Sequence, residues 1–215
     1  MDSRAWIVQV DPVIHVIARP DRPRDRKAAE DAHRAQFQAW DMLSGRLWPG
    51  LGGKPEYLDI LGVNYYSDNQ WFLGGGTIEL GHPLYRPFRD ILAEVFQRYE
   101  RPLFVAETGA ESAARAPWLR YVAGEVHAAV EAGIRVEGVC LYPITDYPGW
   151  TNGRHCKVGL LGLLNNQGRR AVYRPLADEL RRQQAIFDGL FRHEEQLVGV
   201  SDVAVSDAVD RTCPS

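Results

Sequence analysis

Glu107 stands at the end of an apolar run, Leu103-Phe104-Val105-Ala106, and is followed by Thr108-Gly109. A run of that kind reads as a buried strand, so the carboxylate falls at its C-terminal tip. Burying a carboxylate costs several kcal/mol unless it is paired or hydrogen-bonded, and in parallel α/β folds strand tips are where ligands and chemistry gather. Glu107 is therefore a candidate nucleophile. Other strand tips carry polar or aromatic groups too: Asn64 and Tyr66 end one apolar segment, and Tyr142 and Asp146 follow another. Among the remaining polar residues, Glu111 reads as a first-turn charge favoured by the helix dipole. Asp68 follows a strand, with no pattern in the sequence that brings it to the same region, and His15 reads as a satisfied polar residue rather than a ligand.

The elements that must position these groups alternate between strand-like and helix-like periods. Trp6 to Val16 is rich in β-branched residues and predicts a strand. From about Arg24 to Leu47 a helix is expected, with Ala29, His33, Phe37, Trp40, Leu43 and Leu47 on one face. Pro49 and the Gly52-Gly53 pair end it. Leu58 to Tyr66 predicts the second strand; the loop Gly74-Gly75-Gly76 and a helix with Phe88, Ile91, Leu92, Val95, Phe96 and Tyr99 inward come next. The third unit is the strand Leu103 to Ala106 with a helix carrying Trp118, Leu119, Val122, Val126, Ala129 and Val130. The fourth is the strand Val136 to Tyr142, a long polar loop, and a helix with Leu176, Leu180, Phe187 and Leu190. Residues 193–215 lack periodicity and read as a tail beyond a single domain of residues 1–192.

Four β-then-α units imply a parallel sheet with right-handed crossovers. Such a sheet fits a small open doubly wound fold or half of an eight-stranded barrel, and the crowded strand tips favour the barrel. Composition is ordinary for a globular chain. A formal charge of −3 gives no broad basic field for nucleic acid or an anionic membrane. Asp11 and His15 interrupt the longest apolar stretch near the N-terminus, so no transmembrane helix is expected there, and the opening residues lack the order of a secretion signal. The three cysteines, Cys140, Cys156 and Cys213, have no metal-binding spacing. Reduced thiols, a cytoplasmic location, no disulfide, no zinc and no cofactor are expected.

In order along the chain, these segments resemble the C-terminal half of family 1 glycoside hydrolases, the β-glucosidase and β-galactosidase group. Leu58-Asp59-Ile60-Leu61-Gly62-Val63-Asn64-Tyr65-Tyr66 is similar to that family's sixth barrel strand. Pro102-Leu103-Phe104-Val105-Ala106-Glu107-Thr108-Gly109 resembles the seventh, P-I-Y-I-T-E-N-G. Gly138 to Trp150 aligns without a gap on the eighth, G-Y-F-x-W-S-L-L-D-N-F-E-W, and Lys157-Val158-Gly159-Leu160 fits the R-F-G-L after it. The first strand and the stretch Trp40 to Leu47 fit more loosely, and the resemblance covers about residues 5 to 190.

The resemblance implies a (β/α)8 TIM-barrel type fold, of which the chain would hold the fifth to eighth units. It implies retaining hydrolysis of a β-linked glycoside or oligosaccharide. Glu107 would be the nucleophile, Tyr66 the phenol that orients it, and Tyr65 a packing partner. Asn64 would line the sugar site or serve the turn at the strand end, Trp150 would form an aromatic floor for a sugar ring or else pack in the core, Tyr142 would take over part of the platform, and Asp146 would hold a loop. Two departures matter. Gly149 replaces the family's sugar-clamping Glu, and Tyr142 replaces a Trp. The N-E-P motif bearing the acid/base Glu is absent from the chain, which starts almost directly with the fifth strand. A truncated frame, a split gene or an internal start is expected, with a complementary half-barrel, self-association, or an inactive sugar-binding remnant as alternatives.

Overall fold

A computed structural model describes residues 5–189. Its central sheet holds four parallel strands: β1 (Val8–Pro12), β3 (Ile60–Asn64), β5 (Leu103–Thr108) and β6 (Val136–Leu141). Sheet order follows chain order, β1-β3-β5-β6, each strand pairing with the one before it. The helices between and beyond them are α1 (Arg26–Arg34) with α2 (Gln38–Leu43), then α3 (Phe88–Tyr99), α4 (Arg115–Glu131) and α5 (residues 174–189).

Alternation along the strands decides which face the helices cover. Leu61, Val63, Leu103, Val105 and Val136 are buried, and they join Trp40, Phe88, Ile91, Leu92, Val95, Trp118, Val122 and Val126 in one core. The residues between them point the other way. A Cβ at Gly62 would touch the side chains of Val8, Val10 and Ala106, and one at Gly138 would touch the ring of Phe104. These groups therefore share the second face of the sheet. Val8 and Val10 are 42% and 44% exposed there.

The expected strand Trp6 to Val16 is split in two. After β1 ends at Pro12, the Val13 amide still bonds the Asn64 carbonyl, but His15 moves away to bond Asn69. The pair β2 (His15–Ile17) and β4 (Gln70–Phe72) then forms a small parallel sheet of its own. The expected helix from Arg24 to Leu47 is likewise broken, by a 3-10 turn over Ala35–Phe37, and α2 stops at Leu43. The long polar loop after β6 holds two short antiparallel pairs that the periodicity did not reveal: β7 (Tyr147–Pro148) with β8 (His155–Cys156), and β9 (Leu161–Leu164) with β10 (Arg170–Val172). Leu190, the expected tail and Cys213 lie outside the described residues.

Among the described residues, no helix is long and apolar enough to cross a membrane. No group of three or more His, Cys, Asp or Glu among them is placed to hold a metal ion. Cys140 is exposed, Cys156 is buried, and both are free.

Candidate active site

Strict alternation from Val105 would send the Glu107 side chain into the helix layer. The register prevents this. Val63 pairs with Val105 but Asn64 with Glu107, and on the other side Val139 pairs with Val105 but Leu141 with Thr108. From Val105 to its tip, strand β5 thus carries one residue more than either neighbour, a bulge at Ala106-Glu107 that re-aims the rest of the strand. Thr108 turns to the helices instead, fully buried, and its Oγ1 accepts a 2.9 Å hydrogen bond from the Trp118 indole. Glu107 is left half-buried at the strand tip.

There the Tyr66 hydroxyl donates to Glu107 Oε2 at 3.0 Å. The neighbouring backbone locks the pair: the Tyr65 amide donates to the Glu107 carbonyl at 2.9 Å, and the Tyr66 amide to Asn69 Oδ1 at 2.7 Å. Tyr65 points to the opposite layer, its ring stacked 4.0 Å from Phe88 and its hydroxyl bonded to Tyr85 and Gln70. Burial raises the Tyr66 phenol well above its usual range; the bond to Glu107 and the nearby Tyr142 and Tyr147 phenols push the same way. The phenol therefore stays protonated and remains a donor.

Asn64 lies beside Glu107 in the sheet, and its Oδ1 is buried without a partner among the described residues. Tyr142 is brought close by the chain itself. Its amide donates to the Thr108 carbonyl at 2.8 Å, and a Cβ at Gly109 would lie 2.1 Å from its carbonyl oxygen. Only glycine allows the loops after β5 and β6 to touch in this way. Trp150 takes no part in the core: it is 88% exposed on the turn after β7. Position 149 sits in the same tight turn, its amide bonded to the Arg154 carbonyl, and a side chain there would meet Asn152 at 2.5 Å.

Two other carboxylates, Asp146 and Glu111, are engaged elsewhere. Asp146 Oδ1 accepts the Gly159 amide at 2.7 Å and its Oδ2 lies 3.2 Å from His155, so it holds the loop. Glu111 precedes a 3-10 turn and is paired with Arg154 on both oxygens; that guanidinium keeps its carboxyl below the usual range. The first-turn reading of Glu111 accordingly gives way to a cross-loop ion pair. Asp68 is exposed in the turn after Tyr66. His15 is not satisfied among the described residues, where its Nδ1 is buried with no partner. Asn69, Tyr147 and Arg154 escaped the sequence reading; only Asn69, three residues from Tyr66 in a turn, left a local signal.

No family model matches the chain, and no curated protein does. Solved structures do match. A family 1 β-glucosidase from Thermotoga maritima aligns at 15% identity with a TM-score of 0.62, over 82% of this chain and 50% of that one. The chain resembles the family 1 β-glucosidases. The β-glycosidase of Thermosphaera aggregans gives 18% identity and a TM-score of 0.62, over 83% of this chain and 43% of that one. For the β-glycosidase from Pyrococcus horikoshii the values are 21% and 0.59, over 80% and 46%. At such identities the likeness to these glucosidases is one of fold: α/β, with a parallel sheet, as in TIM-barrel glycosidases. The chain spans half their length or less.

Proposed function

We propose that the chain is the C-terminal half of a glycosidase barrel, with Glu107 as the nucleophile of retaining β-glycoside hydrolysis. The observation that carries this reading is the 3.0 Å bond from the Tyr66 hydroxyl to Glu107, at the C-terminal ends of adjacent parallel strands. Glu107 Oε1 or Oε2 attacks the anomeric carbon, the bond to the leaving oxygen breaks, and a glycosyl ester forms; water then cleaves the ester. The Tyr66 phenol orients the carboxylate. The unpartnered Asn64 Oδ1 accepts from a sugar hydroxyl, while Tyr142 and Trp150 supply aromatic surface for the apolar faces of a pyranose. The second carboxyl, acid and then base, comes from outside this chain. The Thermotoga maritima relative was captured with glucoimidazole and with deoxynojirimycin, which supports a sugar as the ligand.

A second reading is a sugar-binding module without turnover. It is favoured by the ties that hold Asp146 to Gly159 and Glu111 to Arg154, which leave neither free to serve as the acid. The two readings part in one experiment, the intact mass of the protein after incubation with a 2-fluoro glycoside bearing a dinitrophenolate leaving group. That leaving group needs no acid, so the assay isolates Glu107. A single adduct that is lost in Glu107→Gln is expected. A folded chain that binds the gluco and galacto reagents without forming an adduct would overturn the catalytic reading.

A further inference from the structure

Trp118, buried near the start of α4, reaches both of the strand tips that carry the site. Its indole Nε1 donates to Oγ1 of Thr108, the neighbour of Glu107. Its ring lies against that of Tyr65, the neighbour of Tyr66, with centroids 5.7 Å apart and planes 24° from parallel. One rigid side chain thus braces the two residues that adjoin the proposed nucleophile and its phenol. The indole is held in turn by Tyr121, whose ring stands 5.5 Å away and whose hydroxyl accepts the Phe88 amide at the start of α3.

The bulge makes such a brace necessary. Val105 and Thr108 are both fully buried, so two residues rather than one lie between successive inward side chains of β5. A strand with no anchor at Thr108 would resume alternation, turning Thr108 outward and Glu107 into the helix layer. A carboxylate there would be stripped of water with no counter-charge. The indole N–H, buried beside it, would lose its acceptor in the same movement. Thr108 also carries the next loop, because its carbonyl accepts the Tyr142 amide at 2.8 Å.

We infer that Trp118 is a positioning residue for the Glu107–Tyr66 pair, a role that rests on the reading of Glu107 as the nucleophile. It acts on the carboxylate through Thr108 and on the phenol through Tyr65, and so sets how the Tyr66 hydroxyl meets Glu107 Oε2.

Fluorine NMR of the full chain tests this, with 3-fluorotyrosine at its nine tyrosines and the Tyr66 resonance assigned by its loss in Tyr66→Phe. The shift of that resonance reads the hydrogen bond to Glu107, and Glu107→Ala gives its value without the bond. Thr108→Val keeps the volume and drops the acceptor; Trp118→Phe keeps a ring and drops the donor. Each should move the resonance most of the way to the Glu107→Ala value. Each should also slow adduct formation at saturating 2-fluoro glycoside by about 10-fold, with the reagent's binding constant unchanged. Both break the same bond, so the double variant should be no slower than the slower single one. Thr108→Ser restores the acceptor and should keep the wild-type resonance and rate. Val126→Ala, about two turns further along α4, controls for general loosening of the core. A resonance unmoved in the folded variants, one moved as far by Val126→Ala, losses that multiply in the double variant, or no rescue by Thr108→Ser would overturn the role. Circular dichroism identifies a variant that fails to fold, and the other then decides. The fluorine signal does not need turnover. A resonance that moves in a chain taking no label keeps the brace and refutes the nucleophile; a labelled chain whose resonance and rate ignore both variants does the reverse.

Discussion

A hydrogen bond to a charged acceptor is worth about 1.5–3 kcal/mol, and the one from the Tyr66 hydroxyl to Glu107 is the contact on which the proposed nucleophile's orientation depends. Tyr66→Phe removes that hydroxyl and leaves the ring. Adduct formation at Glu107 should slow by about 10- to 100-fold, with the far-ultraviolet dichroism unchanged; a rate within about twofold of the wild type would mean that the backbone alone aims the carboxylate. Trp150 stands in contrast at the same scale. Its indole is exposed and free of the core, so whatever it contributes to sugar contact comes from the turn that carries it.

That turn, and the loops around it, show what elements add. Gly109 is where the loops after β5 and β6 meet, with backbone rather than a flexible side chain in the space a Cβ would occupy. Gly109→Ala should destabilise the protein by about 1–3 kcal/mol through overpacking, read as a lower denaturation midpoint in urea. An unchanged midpoint would show that the two loops part at little cost. The strands Leu103 to Ala106 and Val136 to Tyr142 and the helices over Phe88–Tyr99 and Arg115–Glu131 were legible because hydrophobic period is a local signal. So was Glu107 as a strand-tip carboxylate. The bulge that turns Glu107 toward Tyr66 was not, because register depends on two neighbouring strands at once. The Glu111–Arg154 pair was hidden for a similar reason, its partners being 43 residues apart. The split at Pro12 escaped notice because the β-branched residues continue past it, although the pairing partner changes from Asn64 to Asn69.

At the scale of the molecule, a polar cluster joins α1, β2 and α3. Glu94 Oε1 lies 2.9 Å from His33 Nε2, its other oxygen is paired with Arg86, and the His15 and His33 rings stand 5.6 Å apart. Burial would raise the Glu94 carboxyl, but the bonds and charges of His33 and Arg86 outweigh it and hold the group at about 2. His15 goes to about 4, through burial first and then the charges of Arg86 and His33, with Glu94 opposing. Both folded values lie below the unfolded ones of 4.5 and 6.5, so the unfolded chain binds more protons and stability rises with pH in each window. Unfolding free energy should fall as pH drops from 6.5 toward 4, through His15, and again from 4.5 toward 2, through Glu94. Urea melts at a series of pH values check this. His15→Gln should flatten the first slope and spare the second, and a slope unaltered by that change would assign it to another group.

Because sheet order follows chain order, each unit in turn finds the surface it packs on already made. β3 docks on β1, β5 on β3 and β6 on β5, each strand pairing across the loops and helix of a single unit. Each step therefore closes the loop of one unit rather than of the whole sheet. A nascent chain leaving the ribosome can fold in the same order, unit by unit. The growing edge is always the newest strand, and the helix that emerges next covers the apolar face behind it.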